Sequence, residues 1–180
     1  MALTLNGSSN TITPVSAVQP AGSIIQVIQT VKTDTFSNAN EAFADITGLS
    51  VAITPTSSSN KILINYGGCG SSAANRVGHI RLARVIGGTT NTSIFIGDQG
   101  ATNLQVRASS TFVQNNSYYL TSWDGQFLDS PSTTSAITYK LQLSAGDQSY
   151  TVYVGRSFDN SNEWSRSKVP SFITVMEVAA

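Results

Sequence analysis

Residues 45–68, DITGLSVAITPTSSSNKILINYGG, set the fold class. Leu49, Val51 and Ile53 alternate with Ser50, Ala52 and Thr54, the period-2 pattern of a strand with one buried face. Thr54-Pro55-Thr56 and Ser57-Ser58-Ser59-Asn60 then break the pattern with turn-forming residues. A second run opens at Lys61, with Ile62, Ile64 and Tyr66 on one face and Leu63 on the other. Apolar residues on both faces predict a strand covered on both sides.

The same format extends in both directions. Residues 23–32, SIIQVIQTVK, read as a strand with apolar residues on both faces, and 34–42 as a polar connection. The next strand starts within 43–46, with Gly48 as a bulge where the phase shifts. Residues 67–72 read as a Gly-rich loop, 77–86 as a strand, 87–92 as a turn and 93–96 as a short strand. Within 101–116 only Leu104/Val106 and Phe112/Val113 have strand character. Residues 117–128 read as a hairpin around Asp124-Gly125, a favoured two-residue turn. Ile137, Tyr139, Leu141 and Leu143 form the clearest amphipathic strand, and Tyr150, Val152 and Val154 the return strand. Residues 158–167 are a polar loop carrying Trp164, and 171–178 are the last strand. No segment has helical period. Short strands with turn signals every ~8–12 residues predict an all-β antiparallel sandwich or barrel.

Composition excludes several function classes. Ten Lys+Arg balance ten Asp+Glu, so the formal net charge is zero and there is no basic field for nucleic acid. Charged residues make up 11%, against ~25% in ordinary soluble domains, so Ser, Thr, Asn and Gly carry the polarity. That palette suits β-structure and surfaces that face other protein. No apolar run reaches the ~18 residues of a membrane span, so no membrane insertion is expected. MALTLNGSSN lacks the features of a secretion signal, and Cys69 is the single cysteine. Both fit synthesis and assembly in a reducing cytoplasm.

The chain divides into an arm, 1–22, and a head domain, 23–180. The arm has a minimal strand at Leu3 and Leu5, a turn at Asn6-Gly7-Ser8-Ser9, and a second extended segment carrying Ile12 and Val15. Pro20-Ala21-Gly22 is the hinge, and the first charged side chain is Lys32. A two-stranded unit is marginal alone, so such an arm needs the same arm from other subunits or a docking site.

Catalytic chemistry finds little to stand on. His79 is the only histidine and Cys69 lies ten residues from it, far short of a zinc ligand set. No G-x-S-x-G elbow is present. Asp124 and Asp129 are a candidate glycosidase pair, yet Asp124 has a sufficient role in its turn. Asp159-Asn160-Ser161-Asn162-Glu163 offers closely spaced oxygens but not an EF-hand pattern. No enzyme activity, metal or cofactor is expected. Trp123 beside Asp124, and Trp164 beside Glu163 and Arg166, fall in predicted loops or hairpin tips. Two readings stand: a flat apolar ring with polar neighbours suits sugar binding, and suits better still capping the sandwich or packing at a subunit contact.

Several stretches also carry a family resemblance. LTLNGSSNTIT resembles the N-terminal segment of small fibre-like structural proteins of tailed bacteriophages, marine and cyanobacterial ones especially. GSIIQVIQTVKTDTFS, FADITGLSVAITPTSSSNKILI, FLDSPSTTSAITYKLQ and ITVMEVAA resemble the C-terminal β-domain of that group. The resemblance implies a virion surface protein whose head is a jelly roll like those of the C1q and tumour-necrosis-factor group. It implies a homotrimer, with the arm joining the trimer or docking it to other virion proteins. Residues 67–116 and 157–168 lie outside the resemblance and would be the variable, outward parts. A tail fibre or spike touching host surface polysaccharide is the first expectation, and a capsid decoration (cement) protein the second.

Overall fold

The computed structural model describes residues 19–73, 75–99, 105–114, 116 and 118–180. Leu3, Leu5, Ile12, Val15 and the rest of 1–18 lie outside the described residues, as does Leu104. Among the described residues there are eleven strands: β1 (Ile24–Lys32), β2 (Phe36–Asn38), β3 (Ala44–Ile53), β4 (Lys61–Ser71), β5 (Arg76–Ile86), β6 (Thr89–Asn91), β7 (Ser110–Gln114), β8 (Thr121–Asp129), β9 (Ile137–Ala145), β10 (Val152–Val154) and β11 (Ser171–Val178). All pair antiparallel in two sheets, giving an all-β sandwich of jelly-roll type.

Each sheet is four columns wide. In the first, β1 and β2 lie end to end beside β11 and β10, which lie end to end beside β4; β8 completes the far edge. In the second the order is β3, β9, β5, and then β6 and β7 end to end. β1 runs beside β3, and β8 beside β7, which closes the flanks. The alternation read from the sequence places the core. Leu49, Val51 and Ile53 of β3, Ile62, Ile64 and Tyr66 of β4, and Ile137, Tyr139, Leu141 and Leu143 of β9 are all buried. Arg84 and Tyr139 of the second sheet bind Asp129 of the first at one end of the interior, at 2.7 and 2.6 Å.

Several turns follow from their residues. Gly22 (φ 85°) takes the left-handed position of a turn closed by Ser23 N–H donating to Pro20 O, where the hinge was expected. Gly87 and Gly88, both at positive φ, join β5 to β6 in a two-residue hairpin. Gly48 (φ 84°) sits at the register shift between Asp45 and Ser50, as the bulge reading expects.

Four expectations are corrected. Residues 67–72 are not a loop: β4 runs through the glycines to Ser71. Those glycines make room for rings. A Cβ on Gly70 would meet the Phe112 ring at 2.5 Å, and one on Gly68 would meet Trp123 at 2.6 Å. Residues 117–128 are not a hairpin: β8 passes unbroken through Asp124-Gly125, and Gly125 is there because Tyr66 lies against it. Residues 93–96 form no strand, and the connection 34–42 contains β2. β2 is only three residues long, too short for alternation to register.

Candidate assembly surface

Residues paired across an antiparallel sheet point to the same face. The register therefore gives the outer face of the β1–β11–β4–β8 sheet row by row. One row is Val27, Met176, Leu63 and Leu128. The next is Gln29, Thr174, Asn65 and Gln126, where Gln29 donates to Thr174 Oγ1 at 2.8 Å and Gln126 donates to Asn65 Oδ1 at 3.2 Å. The third is Val31, Phe172, Gly67 and Asp124. The Phe172 ring lies across Gly67, where a Cβ would meet it at 3.1 Å. Ile24 and Val178 extend the face beyond the first row, next to Lys61.

This face is unusually apolar for a surface. Val27 is 57% exposed, Ile24 54%, Val31 52%, Leu128 45% and Phe172 38%. Among the described residues only Lys61 and Asp124 bring charge to it, on different rows. A contiguous apolar patch with a polar band is what a protein interface looks like before its partner arrives.

The other outer face has the opposite character. On β3, β9 and β5 the Asp45 carboxylate accepts from Lys140 Nζ at 2.7 Å and from Gln142 Nε2 at 2.6 Å. Gln142 Oε1 in turn accepts from Arg81, whose guanidinium lies over Phe43 at 3.9 Å. Burial pushes the Asp45 carboxyl up, but the hydrogen bonds from Lys140 and Gln142 outweigh it and leave the group below its ordinary value. This sheet face is finished as a solvent surface. The first sheet's is not.

One edge of the apolar face is locked from within. Glu177 is shut off from solvent and has no cation beside it. Its carboxylate accepts from Gln26 Nε2 at 2.6 Å, Thr56 N at 2.7 Å, Thr56 Oγ1 at 2.8 Å and Asn60 Nδ2 at 2.7 Å. Desolvation raises the carboxyl, and the donors from Asn60, Gln26 and Thr56 more than reverse it, so its pKa is lowered. The cluster holds β1, the 54–60 turn and β11 in one register.

The four residues singled out for ligand contact are dispersed. Trp123 is 2% exposed, its ring in the core against Gly68 and 6.3 Å from the Tyr66 ring centroid, so the exposed face expected of it is absent. The cause is the missing hairpin: in a continuous strand, neighbours point to opposite faces, so Asp124 points outward onto the apolar face and Trp123 inward. Trp164 is 96% exposed on the 155–170 loop, as expected of a polar loop. Arg166 is engaged: it pairs with Asp159 at 2.8 Å and lies 4.1 Å over Tyr118. The backbone N–H of Ser161 and then Arg166 hold the Asp159 carboxyl below its usual range. Asp124 and Asp129 sit on opposite faces of β8, five residues or about 16 Å apart along it. Glycosidase carboxylates lie at most ~9.5 Å apart across one site, so these two do not form such a pair. Among the described residues no group of three or more His, Cys, Asp and Glu side chains could hold a metal.

The residues that make the apolar face, Val27, Val31, Leu63, Leu128, Phe172 and Met176, were not among the candidates. Their signal was present: 23–32 and 61–66 carry apolar residues on both faces, which predicts cover on both sides. In the single chain one of those sides is open.

No protein-family model and no curated protein matches this chain. Among solved structures, it is similar to a chain of infectious bursal disease virus strain Gt, at 13% identity and TM-score 0.45, over 100% of this chain and 42% of that one. It is also similar to a chain of strain Gx, at 12% identity and TM-score 0.41, over 99% of this chain and 46% of that one. A chain of the T13 particle of the same virus gives 12% identity, TM-score 0.43, and 100% and 40% coverage. This chain thus spans less than half the length of each. At these scores the likenesses do not bear on function.

Proposed function

We propose that the chain is a non-enzymatic structural protein of a phage particle, a homotrimeric tail fibre or spike that buries the outer face of β1, β11, β4 and β8 against two further copies of itself. The carrying observation is the pair of apolar rows through Val27 and Val31, separated by a row of amides and a hydroxyl. Three properties favour a second copy as the occupant. The face has one cation and one anion, so like copies do not repel. Its polar row offers both donors and acceptors, which lets Gln29 and Gln126 of one copy bond those of another. The strands beneath it carry the two-sided apolar pattern of elements covered on both sides.

Size argues for a role for residues 1–22. Four strands about 4.8 Å apart, and six residues of about 3.3 Å between the outermost rows, make a face of roughly 400 Å². A standard interface takes ~800 Å² from each partner. The uncharged leader, with Leu3, Leu5, Ile12 and Val15, supplies the remainder by joining the trimer or docking it on the particle. The sequence resemblance to phage fibre-like proteins agrees with this reading. Trp164, on the exposed loop between β10 and β11, is the residue offered to a host surface glycan; many weak contacts across copies would add through avidity.

Light scattering on the size-exclusion peak gives the mass of the assembly: about three chains are expected, and a monomer at high concentration ends the reading. Labelling the chain on whole particles and imaging them separates a fibre from a shell clamp.

A further inference from the structure

At the far end of the same sheet the outer face changes character. Beyond the Phe172 row, β10 and β2 replace β11 and β1, and Ser71, Tyr153 and Ser37 form the outward row. Ser71 lies four residues past Gly67, about 13 Å from the apolar rows. Here a cleft of about 410 Å³ is lined by Thr35, Phe36, Ser37, Tyr153 and Arg156. That is within the size range of small-ligand pockets.

The charges at this cleft are not balanced. The Arg156 guanidinium lies over the Tyr153 ring at 3.9 Å, and Phe158 packs edge-on against the same ring at 5.8 Å. Among the described residues no hydrogen bond or ion pair takes up its N–H groups. Arg84 is paired with Asp129 and Arg166 with Asp159, and the ion pairs among the described residues do not engage Arg156. Arg156 also forms an antiparallel bridge with Lys168, which sets two cations opposite each other on one face. Like charges so placed are unfavourable unless an anion lies between or beside them. Arg156 is the charged residue that lines this cleft, while Lys168 and Glu163 line the adjoining hollow.

We propose that this cleft binds the carboxylate or sulfate group of an acidic saccharide. The planar N–H fork of Arg156 receives two oxygens of the anion, as guanidinium groups do. The Ser37 and Thr35 hydroxyls bond sugar hydroxyls. The site is built from one chain, so it does not depend on the trimer.

The test is calorimetric titration of the full chain with a uronic-acid hexasaccharide, a sulfated hexasaccharide, a neutral hexasaccharide and sodium sulfate alone. Binding of at least one acidic hexasaccharide is expected, without binding of the neutral one, and which acidic probe binds identifies the anion. R156Q should weaken that binding about 10-fold or more, the usual scale for losing hydrogen bonds to a charged group, with an unchanged melting temperature. If R156Q does not fold, R156K decides: it keeps the charge but loses the fork, and should still bind several-fold more weakly. Binding by neither acidic probe, equal binding of the neutral probe, sulfate ion binding as tightly as the oligosaccharide, or unweakened binding by the folded variant overturns the proposal. The mass of the same samples is read separately, so a monomer that binds refutes the assembly and not the cleft.

Discussion

Replacing Val27 with aspartate is the sharpest test of the apolar face. Val27 is 57% exposed in the single chain. Complete burial of a valine is worth about 1.5–3 kcal/mol, so covering what remains gains about 1–1.5 kcal/mol per copy. Three copies around one axis lose about 3–5 kcal/mol when it is removed. The three new carboxylates must also be desolvated, next to Met176 and Leu63, where no cation meets them. At 1.4 kcal/mol per decade, assembly weakens by at least about a hundredfold. Sedimentation velocity over a concentration series reads this directly. The matched control is Val113→Asp: Val113 is 52% exposed on β7 of the other sheet, so the same chemistry there should leave the mass unchanged. Equal masses for wild type and V27D at every concentration, or dissociation by V113D alone, would refute the assignment of the face.

Three further outcomes follow from the packing. Gly78→Ala places a methyl against the Phe112 ring, from the strand opposite Gly70, and should lower unfolding free energy by about 1–3 kcal/mol in denaturant titration; an unchanged midpoint would contradict the packing described. Glu177, Asp45 and Asp159 all titrate lower folded than unfolded, so their stabilisation is complete above about pH 4.5 and is lost as pH falls through their folded values; E177Q should flatten the acid limb of a stability–pH profile, and an identical limb would remove Glu177 from it. Trp164→Ala, at a side chain 96% exposed, should leave the melting temperature in place while weakening attachment to host cells, and full attachment would take Trp164 out of the ligand contact.

How much of this was readable from the chain depends on which side of a strand is asked about. The inner face was readable because alternation and burial share one period: 49–53, 62–66 and 137–143 carry it without interruption. The glycines defeated the same reasoning at two places. In isolation Gly67-Gly68-Cys69-Gly70 and Asp124-Gly125 look like turns, because glycine frees the backbone. In the folded chain they are strand, because Phe172, Trp123, Phe112 and Tyr66 need the space a side chain would fill. Those rings come from β11, β8, β7 and β4, so the cause lies far away in sequence and local propensity does not contain it. Trp123 was misplaced for that reason alone: once the turn at Asp124-Gly125 disappears, its neighbour's outward position fixes it inward.

The outer faces of the two sheets differ although the same alternation runs through both. On β9 the outward positions are Thr138, Lys140, Gln142 and Ser144, and polar groups from Asp45 and Arg81 complete them within the chain. On β1 the outward positions include Val27 and Val31, and on β4 and β8 they include Leu63 and Leu128, with nothing among the described residues to cover them. A sequence in which 11% of residues are charged cannot spare many for a surface, yet it gathers Lys140, Asp45 and Arg81 into one bonded cluster on one face, while the apolar rows of the other carry only Lys61 and Asp124, apart from each other. Selection for solubility of a lone domain would distribute them evenly. Under the proposed assembly the difference has a cause: the apolar rows are the part of that face withdrawn from water, and other copies of the chain would complete them.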